Sequence, residues 1–233
     1  MSSEIERKFL LPSLSKDQIS NLAPENLLVF SKTLLPEEKL KELIPEKDFE
    51  HIMSNNITHD ELTKLLKMEE YSKLAELFRK IKIEKVSKLL RETLPLLPEE
   101  KLKNATFLEI EQTYLDSPDG EENRLRAINN KIFVKTVKMP MVDMERKENE
   151  RPISVDDYYK YLTSKVGNTL EKIRCMFQDG EITYEIDIYT DENLAGVVIV
   201  EVEFPSKKHA TNFKAPEWFG TEIKPKSNPL KEE

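Results

Sequence analysis

Three charged side chains take alternate positions in the opening stretch EIERKFLL (residues 4–11): Glu4, Glu6 and Lys8. On a β-strand, alternate residues share a face, so two carboxylates and an ammonium would stand in one row. Similar rows recur downstream: Glu109 and Glu111; Arg124 and Arg126; Lys135; Arg146, Glu148 and Glu150; Lys172 and Arg174; Glu185 and Asp187; Glu201 and Glu203. The positions between them are often apolar, as at Ile5, Ile110, Leu125, Ile173, Ile186 and Val202. For a single strand the ordinary reading is a charged solvent face over an apolar core, because charged residues are rarely buried unpaired. The set as a whole reads otherwise. A solvated face mixes Ser, Thr, Asn and Gln with its charges, whereas these rows are nearly pure in acid or base. The pattern predicts an inverted barrel, with the charged rows facing a lumen and the apolar residues facing covering helices.

Cations and carboxylates in one confined space suit one ligand class. Arg and Lys bind the oxygens of a polyphosphate directly, Arg often with two prongs. Carboxylates repel the same ligand unless a divalent metal stands between. Mg²⁺ or Mn²⁺ takes oxygen ligands, bridges carboxylate to phosphate, and can polarise a phosphoryl group or activate a water.

The elements that must carry these rows form three blocks. The opening strand is closed by Pro12. Residues 13–105 are rich in Leu, Lys and Glu and contain no Gly; Leu62, Leu65, Leu66, Leu74, Leu77, Phe78, Ile81 and Leu89 recur there at helical spacing. Prolines 24, 36, 45, 95 and 98 punctuate this block, and Thr58 with Glu61 fits a capping box. LLPEEKLK occurs twice, at 34–41 and 96–103, and reads as a segmental duplication or two similar Pro-initiated helix starts. His51 and His59 have no nearby Cys and read as surface or packing residues. Residues 106–233 hold all five glycines and alternate with period two. Strands are expected at 107–115, 123–128, 131–138, 144–153, 169–177, 182–189 and 197–204, with a short helix at 154–166 capped by Ser154. Asn129-Asn130 and Gln178-Asp179-Gly180 are the hairpin turns. With the opening strand this makes an α+β protein: a closed eight-stranded antiparallel barrel, formed by 1–12 and 106–233, with covering helices and a large helical insertion at 13–105.

Composition narrows the partners. The chain has 233 residues, 34% of them charged, and a formal charge of -8. A net-acidic chain is a poor duplex-binding candidate, although a local basic pocket remains compatible with it. The single Cys175 permits no internal disulfide. No apolar run approaches a membrane span and no secretory signal stands at the start, so the expectation is a cytoplasmic protein without membrane association.

Glu4-Ile5-Glu6-Arg7-Lys8 matches the ExExK signature of the CYTH superfamily, the triphosphate tunnel metalloenzymes. The later rows resemble the family in order: Arg124-x-Arg126, Lys135, Arg146-x-Glu148-x-Glu150, Lys172-x-Arg174, Asp187 and Glu201-x-Glu203. Trp218-x-Gly220-x-Glu222-Ile223 resembles the closing W-x-G-x-E-[VI] segment, and Ser227-Asn228-Pro229-Leu230 the N-S-x-L tail. The resemblance covers the first strand and roughly 106–230. It implies a tunnel barrel that binds a small-molecule triphosphate with Mg²⁺ or Mn²⁺. By that resemblance Glu4, Glu6, Asp187, Glu201 and Glu203 are metal ligands, and Lys8, Arg124, Arg126, Lys135, Lys172 and Arg174 grip the triphosphate. Glu148 and Glu150 join Lys172 as catalytic candidates; they hold a second metal, position water, or orient the basic rows. Short family members lack the 13–105 segment, which leaves a lid or a protein-interaction module as its role.

Members of the family hydrolyse inorganic, thiamine or nucleoside triphosphates, process RNA 5′-triphosphates, or cyclise ATP. Family thiamine triphosphatases carry a Trp two residues before the first Arg of R-x-R; Glu122 stands there in this chain, which argues against that substrate. Inorganic triphosphate needs only the tunnel and is the simplest expectation, with nucleoside triphosphates next. The alternatives are a class IV-type adenylate cyclase and a non-catalytic polyphosphate or nucleotide sensor with the helical insert as its output surface.

Overall fold

The computed structural model describes residues 2–54, 56–118, 121–140, 142 and 145–224. In chain order the elements are β1 (Ser2–Leu10), α1 (Lys16–Ser20), α2 (Pro24–Leu34), α3 (Glu37–Lys41), α4 (Glu46–Met53), α5 (His59–Leu66), a 3₁₀ turn (Glu69–Tyr71), α6 (Ser72–Thr93) and α7 (Glu99–Lys103). Then come β2 (Thr106–Leu115), β3 (Glu122–Ile128), β4 (Ile132–Lys138), β5 (Glu145–Ile153), α8 (Val155–Leu162), β6 (Leu170–Asp179), β7 (Ile182–Tyr189), β8 (Val198–Glu203), α9 (Lys207–Asn212) and β9 (Glu222–Ile223). The chain divides into two compact units, residues 1–13 with 94–233 and residues 14–93. The helical unit is narrower than the 13–105 block drawn on composition, because α7 groups with the strands. Among the described residues no helix is long and apolar enough to cross a membrane.

Antiparallel pairing runs β5-β4-β3-β2-β6-β7-β8-β1, and a further β5–β1 pairing closes the ring. This is the eight-stranded barrel that the alternation implies. Closure leaves no exposed edge to manage; β9 adds two residues against Lys8 and Phe9. Asn129 and Asn130 both take positive φ (51° and 52°), and Lys131 N donates to Ile128 O at 3.0 Å. That is the turn geometry whose twist suits a hairpin. Gly180, at φ 62°, turns β6 into β7.

The outer face of the barrel is apolar along β6, β7 and β8. Ile173, Cys175 and Phe177 of β6, Tyr184, Ile186 and Ile188 of β7, and Val198, Val200 and Val202 of β8 are all buried. Tyr158 of α8 packs with Leu115, Leu125 and Ala127, and Ser154 caps that helix by accepting from Asp157 N. Phe9 meets Phe219 at 4.7 Å between ring centres. Arg7 also faces outward: it forks onto Glu222 at 2.7 and 2.8 Å and donates to the carbonyls of Ala210 and Phe213. This bidentate pair anchors the closing segment to β1. Gly220 is required in that segment, since a Cβ there would lie 2.2 Å from the Leu10 carbonyl oxygen. Residues 227–230 lie outside the described residues.

In the helical unit, Leu27, Leu40, Ile52, Leu62, Tyr71 and Leu74 form part of one core. The Thr58–Glu61 capping box is formed in both directions. Each LLPEEKLK copy builds the same local structure. Pro36 and Pro98 are N-caps, the following EEKLK is helical, and Leu40 and Leu102 are buried. Pro lacks the N–H that a helix start leaves unsatisfied, so it suits this place in both settings.

Candidate functional site

Register decides which side chains share the lumen. Glu6 pairs with Glu203 and Lys8 with Glu201 across β1–β8. Glu185 pairs with Glu201 across β7–β8, and Arg174 with Asp187 across β6–β7. Arg124 faces Thr136 and Glu122 faces Lys138 across β3–β4, while Glu148 and Glu150 face Lys138 and Thr136 from β5. Among the described residues four ion pairs of the lumen skip a strand: Lys138 with Glu4 across β5, Arg174 with Glu201 across β7, and Arg126 with Glu150 and Arg146 with Glu122 across β4. Such reach fits the concave side of a curved sheet, where side chains converge.

The cations are held by carboxylates. Arg174 donates to Asp187 through Nε (2.6 Å) and Nη2 (2.7 Å), to Glu201 at 3.1 Å, and to Glu185. Lys172 Nζ lies 2.6 Å from Asp187 Oδ2. Arg126 pairs with Glu150, which also accepts from Thr136 at 3.0 Å. Lys138 pairs with Glu4 and, at 3.2 Å, with Glu148. Lys8 lies 2.6 Å from Glu201 and 3.1 Å from Glu6. Two donors on the cationic side remain open: the buried Nε atoms of Arg124 and Arg126 have no hydrogen-bond partner.

Proton affinities follow these contacts. Burial alone would raise Glu201, but Lys8, Arg174 and Lys172 outweigh it and hold the carboxyl well below the usual range. Burial opposes the charge on Lys8 too, and Glu201 with Glu6 more than restores it. Lys172 is pushed down by burial, against the pull of Asp187. Glu203 behaves oppositely: burial, then Glu185 and Glu4, push it up to about 7. Glu6 is raised by burial, with Glu201 and Glu4 adding repulsion.

The acidic surplus at β1 and β8 bears on whether a divalent metal fits. Glu6 Oε2 is buried without a partner. Among the described residues no hydrogen bond reaches the Glu203 carboxylate, and no group of three or more His, Cys, Asp or Glu is arranged to hold a metal ion. Most of the carboxylates are instead drawn to lysine and arginine. The donors at Glu4, Glu6, Glu201 and Glu203 are hard oxygens, the type that Mg²⁺ and Mn²⁺ take, and an orphaned buried carboxylate oxygen amid mutual repulsion fits a cation. Asp187 fits less well, since both of its oxygens are taken by Lys172 and Arg174.

Of the residues singled out in the sequence, Glu4, Glu6, Lys8, Arg124, Arg126, Glu148, Glu150, Lys172, Arg174, Asp187, Glu201 and Glu203 share the lumenal face. Lys135 does not. A strict two-residue turn at Asn129-Asn130 would pair Arg124 with Lys135. The ladder instead pairs Ile128 with Ile132, leaving Lys131 as an additional residue, so Thr136 faces Arg124. A one-residue shift turns every side chain to the other face. Lys135 therefore lies outside, 4.2 Å from the Tyr161 ring centre, and Lys138 takes the lumenal place. Glu109 and Glu111 also point away from the lumen: Glu111 is in register with Ala127, and β2 presents Gln112 opposite Arg126 and Tyr114 opposite Arg124. Glu122, Lys138 and Glu185 are site residues missing from the sequence assignment.

No family model matches this chain. It is 34% identical over 115 residues to an inorganic triphosphatase of Acetivibrio thermocellus, covering 48% of this chain and 70% of that protein. It is 33% identical over 117 residues to an inorganic triphosphatase of Nitrosomonas europaea, covering 49% and 75%. A solved inorganic triphosphatase structure is 29% identical, covering 51% of this chain and 78% of that one, with a TM-score of 0.37. The chain belongs to the family of these proteins, the CYTH superfamily of triphosphate tunnel enzymes.

Proposed function

We propose that this protein hydrolyses inorganic triphosphate to phosphate and pyrophosphate. The reading rests on the closed lumen in which Arg124, Arg126, Lys138, Lys172 and Arg174 face the carboxylates of β1 and β8, with two buried guanidinium Nε donors left unpartnered. The relatives' activity on the same substrate supports it.

In this reading the guanidiniums and ammoniums bind the phosphate oxygens, and Asp187 and Glu150 aim them. Glu4, Glu6, Glu201 and Glu203 would hold Mg²⁺ or Mn²⁺, which would offset the charge between carboxylate and phosphate and polarise the phosphoryl group. Glu148, held at 3.2 Å by Lys138 and raised by burial, takes a proton from the attacking water. Lys172 neutralises the charge that develops on the departing oxygen as the P–O bond breaks. Catalysis of this kind is mainly positioning and electrostatics. Nucleoside triphosphates are the second candidate substrates.

Phosphate release from tripolyphosphate and from ATP, with cyclic AMP assayed in parallel, tests the assignment. The expected result is metal-dependent release with tripolyphosphate preferred. Binding of tripolyphosphate without turnover of any triphosphate in Mg²⁺ or Mn²⁺ contradicts it and supports the sensor reading; cyclic AMP formation supports the cyclase.

A further inference from the structure

Glu122 and Glu185 are lumenal carboxylates with no place in the mechanism above; among the described residues Glu185 pairs with Arg174 alone, whereas Glu122 has two partners. Glu122 occupies the first lumenal position of β3, followed on the same face by Arg124 and Arg126, about 7 Å apart per step. It accepts from Arg124 Nη1 at 3.1 Å and from Arg146 Nη1 at 3.3 Å, so it bridges two guanidiniums on different strands. Arg146 is fixed further by its Nε, which donates to the Met139 carbonyl at 2.7 Å.

We infer that Glu122 sets the length of phosphate chain the lumen accepts, admitting short linear polyphosphates and rejecting longer ones. This deepens the proposed function and rests on it. Without Glu122 the basic series would run from Arg126 through Arg124 to Arg146. With it, the two outer guanidiniums are already engaged, and the next position along the row is negative. A phosphate chain lying on Arg126 and Arg124 meets a carboxylate at its end. One further phosphate would meet like charge in a confined space and would have to compete for donors already bonded. Discrimination by a misplaced charge is an effective way to reject a related ligand. Glutamine in this place keeps the shape and removes the charge. Aspartate keeps the charge but is too short to span both arginines.

The test compares kcat/KM for tripolyphosphate and tetrapolyphosphate in the full chain and in Glu122→Gln and Glu122→Asp, with circular dichroism to verify folding. In Glu122→Gln the tetrapolyphosphate to tripolyphosphate ratio is expected to rise about tenfold or more, chiefly through a lower KM for the longer chain, with Glu122→Asp intermediate. A folded Glu122→Gln whose ratio stays within about twofold of the parent overturns the inference. If Glu122→Gln does not fold, Glu122→Ala, which also removes the charge, decides by the same criterion. Should the parent turn over neither compound, the proposed hydrolysis is what has failed. Calorimetric affinities of the two polyphosphates for parent and variant then decide the role of Glu122 separately, on the same ratio.

Discussion

Two arcs of one lumen treat their charges differently. On the arc of β3, β4 and β6, every basic side chain described above has a carboxylate at hydrogen-bond distance, as with Arg126 and Glu150 or Lys172 and Asp187. On the arc of β1 and β8, Glu201 is satisfied by Lys8 and Arg174, yet Glu6 keeps a buried oxygen without a partner and Glu203 is pushed up in pKa by burial and then by its acidic neighbours. The basic arc is pre-assembled, and its carboxylates act as orienting struts. The acidic arc carries more negative charge than the protein itself neutralises. An anion suits the first and a cation the second, and a metal-bound polyphosphate supplies both.

The largest effect should come from Arg174, where the arcs meet. Arg174→Ala strips Asp187, Glu185 and Glu201 of a shared partner in a buried site. Leaving buried charges uncompensated costs about 3–5 kcal/mol, read as a lower denaturation midpoint, and turnover should fall at least about a thousandfold. A variant as stable and active as the parent would break the idea of linked arcs. Next is the basic arc alone. Lys138→Ala should lower kcat/KM by about ten- to a hundredfold, whereas Lys135→Ala should change it by less than about twofold, losing only the roughly 1 kcal/mol of a half-buried cation–π contact with Tyr161. The reverse order would restore Lys135 to the lumen and refute the register.

The smallest effect probes the acidic arc without metal. Glu203 titrates near 7 in the native state against 4.5 ordinarily. Between those values the folded chain keeps a proton that the unfolded chain has released, so stability falls as pH rises from about 4.5 to 7 and then levels. In Glu203→Gln that stretch of the pH–stability curve should be flatter, as followed by thermal denaturation in chelator. Identical slopes would show that the acidic surplus lies elsewhere.

Much of this arrangement was legible in the sequence because a barrel wall with two distinct environments writes a period-two pattern. Ile186 between Glu185 and Asp187 can face only one way once one face is apolar. Purity of charge told which face was inward on β1, β3 and β5 to β8, but not on β2, where the pure acidic row Glu109 and Glu111 faces out. The error at Lys135 arose at a single place, the passage from β3 to β4, where one residue beyond Asn130 reverses the parity of all that follows. Lys131 carries no signal of its own, because neither Gly nor a special side chain is needed for the extra position. Glu122 was visible only as a missing Trp; its bridge between Arg124 and Arg146 passes over β4, so it depends on the register and curvature of three strands together. The anchoring of Arg7 by Glu222 is more distant still, since the partners lie 215 residues apart.

Phosphate release from tripolyphosphate, with and without Mg²⁺, in the parent beside Glu201→Ala tests the central claim most directly. The account calls for release by the parent that stops in chelator and returns with Mg²⁺, and for loss of release in a folded Glu201→Ala. Release that survives either the chelator or the substitution would contradict it.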